Sequence, residues 1–222
     1  QIQTKSSIDA KTIKVLNPKE VVFEGGRELE LDAVSEVPRY YVCNAYGVCG
    51  IYSAPGTAVK EAYDTSGIVT NDRGVTVWLK GNRVSRNQIM AIKEESVTEQ
   101  KNSLAVCLDN ILRHAGITRN TEYDLAQGKT ATTILSENMT GVQVLDLSGC
   151  TLDAVLYYVN QDIPVLAILE DGEAVLVTGF NEFNVVIMEP STGKLYKKGM
   201  NDATAWFAEN GNHFITYMRI EN

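Results

Sequence analysis

Histidine is nearly missing from this chain of 222 residues: there are two, His114 and His213. A multi-histidine metal site is therefore not expected, and neither a metal nor a cofactor is predicted. Four cysteines stand at positions 43, 49, 107 and 150 without a Cys-x-x-Cys pair, so a zinc or thioredoxin-type motif is unsupported. No apolar run is long enough to span a membrane. Basic residues are in the minority, with 20 Lys and Arg against 28 acids and a net charge of -8. There is no dense basic cluster, which argues against nucleic acid or an anionic membrane as the main partner. No signal peptide is visible, and the chain opens on Gln1 rather than Met, as a processed or trimmed form would.

What is present suits a soluble globular protein of one or two domains. The sequence is 44% hydrophobic and 22% charged, with enough length to bury a sizeable core. Residues 1–36 mix short apolar stretches with Pro18 and Gly25-Gly26 and read as an extended or strand-like lead-in. Residues 37–84 read as a small module. "RYYVCNAYGVCGIYS" gives two strands around a turn at Tyr46-Gly47. "SAPGTAVKEAYDTSG" gives a helix with Pro55 near its start and Gly67 closing it. "IVTNDRGVTVWLKGN" gives a second hairpin turning at Asp72-Arg73-Gly74. The order β-β-α-β-β is a compact α+β unit. Tyr40, Tyr41, Tyr52 and Trp78 are either a binding face or part of the sheet's own core. Cys43 and Cys49 flank "NAYGV". They are either a hairpin disulfide, which would imply an oxidising compartment, or two free strand thiols.

The polar, charged stretch at residues 85–100 reads as a linker. Residues 101–222 form a third part. "NSLAVCLDNILRHAG" is a helix capped by Asn102 or Ser103 and ended by Gly116. "TEYDLAQG" and "TTILSEN" are short helices, and "VQVLDLSG" holds a strand. The amphipathic helix "TLDAVLYYVNQD" leads into the strand "PVLAILE". After "EAVLVTGF" and "VVIMEP" come a short strand "KLYKKG", the helix "DATAWFAENG" and the strand "HFITYMRI". Helices first and an antiparallel sheet after them is again an α+β arrangement.

The segments "NSLAVCLDNILRHAG", "GEAVLVTGF" and "IMEPSTG" resemble the papain-like domain of the bacteriocin-processing (double-glycine leader) cysteine peptidases. The resemblance covers about 120 residues, and it implies a helix-plus-antiparallel-sheet domain. In that family a Cys opens the long helix, a His opens a strand and an Asp closes the next strand before Pro. The matching positions here hold Ser103, Glu173 and Glu189. Together with the Tyr-rich module, the chain is similar to secreted or cell-surface proteins of clostridia-type Gram-positive bacteria. That likeness implies an extracellular or cell-surface location.

The substituted residues do not support papain chemistry. A papain-like nucleophile is a thiolate stabilised by an adjacent imidazolium and a helix N-terminus. A serine hydroxyl lacks that acidity, and a carboxylate of ordinary pKa near 4.3 is a poor base toward it. Ser103 reads more simply as a helix cap. Two rival thiols remain. Cys107 lies on the apolar stripe Leu104, Cys107, Leu108, Ile111 and Ala115, the pattern of a buried residue. His114 is about 10 Å further along the helix axis and does not reach it. His213 reads as a surface or edge residue heading the last strand. Cys150 stands at a helix entrance with no His or Lys nearby in sequence. The pair Glu173 and Glu189 also has the residue types of a glycosidase or a cation site, but no oxygen-rich loop accompanies it. "DGE" and "NEFN" are turn chemistry.

The expectation is a catalytically inactive, papain-like, extracytoplasmic module that binds a peptide or protein segment in its former cleft, or serves structurally. The alternative is an active cysteine peptidase using Cys107 or Cys150. A third possibility is a scaffold that only supports the small module.

Overall fold

The computed structural model describes residues 37–81 and 102–220. It also gives the backbone of three strands in the lead-in segment, β1 (Ile13–Asn17), β2 (Glu20–Phe23) and β3 (Arg27–Leu29). These three form an antiparallel meander, β1-β2-β3. The expected linker at 85–100 lies outside the described residues.

The small module comprises β4 (Tyr40–Cys43), β5 (Cys49–Tyr52), α1 (Pro55–Thr65), β6 (Ile68–Asn71) and β7 (Thr76–Leu79). Its sheet is antiparallel in the order β5-β4-β6-β7. Asparagine builds both of its turns. Asn44 Oδ1 accepts from the amides of Tyr46 and Val48, and Asn71 Oδ1 accepts from those of Arg73 and Val75. Gly47 and Gly74 then supply the positive φ each turn needs, at 77° and 74°. Strand alternation puts Tyr40, Val42, Val69 and Trp78 on the face covered by α1 and Tyr41, Ile51 and Ile68 on the other. Tyr40 and Trp78 are each 2% exposed and belong to the core, while Tyr41 and Tyr52 are half-buried. Cys43 and Cys49 face each other in the β4–β5 register and are joined by a disulfide.

The larger unit begins with three helices, α2 (Ser103–His114), α3 (Glu122–Ala126) and α4 (Ala131–Asn138). It continues through β8 (Val142–Asp146), α5 (Leu152–Val159), β9 (Val165–Ile168), β10 (Ala174–Phe180), β11 (Asn184–Met188) and β12 (Leu195–Gly199). It closes with α6 (Met200–Glu209) and β13 (His213–Arg219). The six strands pair antiparallel in the order β12-β11-β10-β9-β13-β8. All seven residues of β10 are buried. A strand buried at every position has both faces covered, and α2 and α5 both pack against it. The α+β class expected from the sequence is the observed one.

Sequence periodicity reports faces, not neighbours, and β13 shows the difference. It lies between β9 and β8, so it is an interior strand. His213 is accordingly not an edge residue: it opens that strand opposite Ile168 and is half-buried.

The small module and the larger unit share one hydrophobic core. Trp78 Nε1 donates to the carbonyl oxygen of Ala154 at 3.0 Å, and the Tyr158 hydroxyl donates to that of Val77 at 2.9 Å. Gln143 links the two sheets, accepting from Asn71 Nδ2 at 3.0 Å and donating to the Tyr40 hydroxyl at 2.9 Å. Close approach of α1 requires Gly56, where a Cβ would stand 2.8 Å from the Ser148 carbonyl oxygen.

Candidate functional site

Helix α2 starts where its sequence allows. Asn102, in extended conformation, accepts from the amides of Leu104 and Ala105 at 2.9 and 3.3 Å. This occupies two of the donors that a helix start leaves unpaired. Asn102 is therefore the cap, and Ser103 is the first helical residue rather than the cap. That position frees the Ser103 side chain to leave the helix. Its Oγ accepts the Ala174 amide at 2.9 Å. The start of α2 is thus fastened to the head of β10.

Glu173 immediately precedes that contact. A tight turn presents it: Gly172 has φ 84°, Leu169 N–H donates to the Glu173 carbonyl at 2.7 Å, and the Glu173 amide donates to Asp171 Oδ1 at 3.0 Å. The side chain of Glu173 is exposed. Its charge still reaches α2. The thiol of Cys107, one turn beyond Ser103, is pushed up strongly by burial and further by the negative charge of Glu173. Ser103 and Glu173 therefore lie at the same end of α2.

Glu189 follows β11. The β10–β11 register pairs Leu176 with Met188, so Glu173 and Glu189 flank the same end of this hairpin. Glu189 is half-buried, and the hydroxyls of Ser191 and Thr192 both donate to its carboxylate. A local turn closes through Gly193 N–H to the Glu189 carbonyl and Glu189 N–H to the Lys194 carbonyl. The carboxylate is thus held by its own loop. Among the described residues no hydrogen bond joins Ser103 Oγ to either carboxylate.

His213 stands two strands from Ala174 in the same row of the sheet, through Ile168, and among the described residues no hydrogen bond joins it to Ser103. His114 lies at the other end of α2, with Nε2 2.9 Å from the Asp162 carbonyl oxygen and 3.8 Å from its carboxylate. The rival thiols are closed off. Cys107 is fully buried. Cys150 is 1% exposed and directs Sγ to the Gly56 carbonyl at 3.3 Å. Burial, more than the opposing charge of Lys60, pushes its thiol up to about 12. A thiol in that state supplies almost no thiolate at neutral pH.

The sequence put Ser103 at the start of α2, where it lies, but did not show its bond to Ala174. The signal was faint: a capping Asn followed by a small hydroxyl residue, which leaves one oxygen spare. Among the described residues no group of three or more His, Cys, Asp or Glu could hold a metal ion, and no helix is long and apolar enough to cross a membrane.

No protein-family model matches the chain, and no curated protein matches it. Among solved structures it is similar to a candidate C39-like peptidase from Bacillus anthracis, with a TM-score of 0.51 and 13% identity. The match covers 60% of this chain and 98% of that one. The likeness is one of fold, and it takes in nearly the whole of that chain.

Proposed function

We infer that this chain is a non-catalytic member of the papain-like architecture, whose former active-site end binds a peptide or protein segment without cleaving it. The observation that carries this reading is the state of Ser103. Its hydroxyl stands where a nucleophile would be and serves as an acceptor for the Ala174 amide. The residue preceding Ala174 is a carboxylate, Glu173, where the family resemblance implies an imidazole. An exposed Glu173 and a half-buried Glu189 at one end of the β10–β11 hairpin favour a segment carrying basic residues. An extracytoplasmic or cell-surface location is part of the same proposal, and the Cys43–Cys49 disulfide supports it.

The test is paired. The full chain is incubated with a peptide library, and its products are analysed by mass spectrometry. In parallel, thiol labelling by iodoacetamide is followed at pH 6. The reading expects no cleavage and no fast labelling of Cys107 or Cys150. It also expects retention of basic peptides from the library, lost in Glu173→Lys. Cleavage together with rapid, selective labelling of one thiol would establish the active-peptidase alternative instead. Retention unaffected by Glu173→Lys would place the binding elsewhere.

A further inference from the structure

A cleft lies at the junction of the small module with the larger unit, and Ser103, Glu173 and Glu189 are not among its lining residues. Its volume is about 150 Å³, and Tyr63, Trp78, Lys80, Asp153, Tyr157 and Asn160 line it. The three aromatic rings form a continuous tilted series. Tyr63 and Trp78 have centroids 6.1 Å apart at 56°, and Trp78 and Tyr157 are 6.2 Å apart at 52°. Tyr63 and Tyr157 are half-buried, so part of each side chain faces solvent. Trp78 is held from behind by its bond to the Ala154 carbonyl. The rings are thus set by the docking of two folding units and do not depend on a ligand for their placement.

The charges of the cleft oppose each other. The Asp153 carboxylate accepts from the Tyr63 hydroxyl at 3.0 Å. The Lys80 ammonium stands 5.3 Å from the centroid of the Tyr63 ring, with long contacts of 3.4 Å to the Tyr63 carbonyl and Ser66 Oγ. A cationic guest would meet Lys80, and an anionic one Asp153. Asn160 adds a third cue: its Oδ1 is buried without a hydrogen-bond partner among the described residues. A buried acceptor left in that state is costly and calls for a donor, supplied directly or through one water. An aromatic wall takes the apolar face of a ring, and a few convergent polar groups take its edge.

From these features we propose that the junction cleft is a carbohydrate subsite that takes one neutral sugar ring. Its aliphatic face lies against Tyr63 and Tyr157, and its hydroxyl or acetamido groups are read by Asp153, Lys80 and Asn160. Charge balance argues for neutrality, the unpaired acceptor argues for a hydroxylated guest, and the volume limits the cleft to a single ring. The site is independent of the peptide-binding reading given above, and either can fail without the other.

The chain has two tryptophans, Trp78 and Trp206, so the Trp206→Phe variant leaves Trp78 as the reporter at the cleft. In that background the full chain is titrated with an N-acetylglucosamine trimer and with maltotriose, following tryptophan emission. A saturable change with at least one of them is expected. Tyr157→Ala and Asp153→Asn each weaken it about tenfold, while Ser103→Ala leaves it unchanged. Circular dichroism confirms that the variants are folded, and Asp153→Asn, which keeps the side chain's shape, carries the test if Tyr157→Ala does not fold. A flat response to both sugars overturns the proposal. So does a response to sugars that both cleft variants retain, or saturable binding of methylammonium or acetate in place of the sugars.

Discussion

The oxygen of Ser103 and the amide of Ala174, 71 positions apart, are 2.9 Å from each other. This bond joins the first residue of α2 to the first residue of β10. The hydrogen bond fastens the helix to the sheet at the candidate site.

Removing that fastening has a measurable consequence. Ser103→Ala leaves the Ala174 amide without its acceptor at a half-buried site. The free energy of unfolding in urea should fall by about 1 kcal/mol, the usual worth of such a bond. Asn102→Ala should cost a similar amount, about 1 kcal/mol, through loss of the cap. The two side chains bond different donors, so the costs should add in the double variant. A Ser103→Ala protein as stable as the parent would show that the contact carries no load.

The same positions can be given the residue types of a cysteine peptidase. Ser103→Cys alone places a thiol at a helix start beside the negative charge of Glu173, which disfavours thiolate. Adding Glu173→His and Glu189→Asp replaces that charge with an imidazole and supplies a carboxylate to orient it. Iodoacetamide should then label the position 103 thiol about tenfold faster at pH 6 than in the single variant. Equal rates in the two proteins would mean that position 173 does not face position 103 as a base faces its nucleophile.

The parts of this fold legible in the sequence are those set within a few residues. Asn44 with Gly47, and Asn71 with Gly74, announce their turns because an asparagine oxygen and a positive-φ glycine act locally. The start of α2 was legible to within one residue, since Asn102 and Ser103 are both competent caps and only the tertiary partner of Ser103 separates them. The insertion of β13 between β9 and β8 was not legible, because an apolar strand advertises burial without naming its neighbours. Trp78 shows the same limit. Its residue type permitted either a binding face or a core, and packing against α5, 76 residues on at Ala154, puts it in the core. At the candidate site the Ser103–Ala174 bond spans 71 residues and no local pattern encodes it, whereas the Ser191 and Thr192 hydroxyls bond Glu189 from within its own loop.

Acid should loosen the larger unit through Asp124. Its side chain is 6% exposed and bonds Arg119 at 3.1 Å, with Lys129 at 3.4 Å. The Arg119 hydrogen bonds, and after them Lys129, outweigh burial and hold the carboxyl below its usual range. A depressed folded-state pKa gives stability that is present above the unfolded value, near 3.9, and lost as pH falls through the folded value. Unfolding free energy measured from pH 5 downward should therefore decline, and Asp124→Asn should flatten that decline by removing the titrating group. An unchanged slope in the variant would assign the acid response to other carboxylates.

The junction makes a final claim about cooperativity. The Tyr158 hydroxyl is wholly buried and donates to the Val77 carbonyl, while Trp78 donates from the small module to Ala154 on α5. Tyr158→Phe leaves the Val77 carbonyl unpaired in the shared core, at a cost of about 1–3 kcal/mol. Trp78 reports on the small module and Trp206 on the larger unit, so the Trp206→Phe and Trp78→Phe backgrounds follow each unit separately by fluorescence. If the core is common to both, the two reporters share one urea midpoint, and Tyr158→Phe lowers both midpoints together. Trp78→Phe removes a junction bond itself, so its midpoint is compared with the far-ultraviolet dichroism of the same variant. Two separated transitions in the parent chain, with Tyr158→Phe moving only the first, would show instead that the small module melts off a larger unit that stands without it.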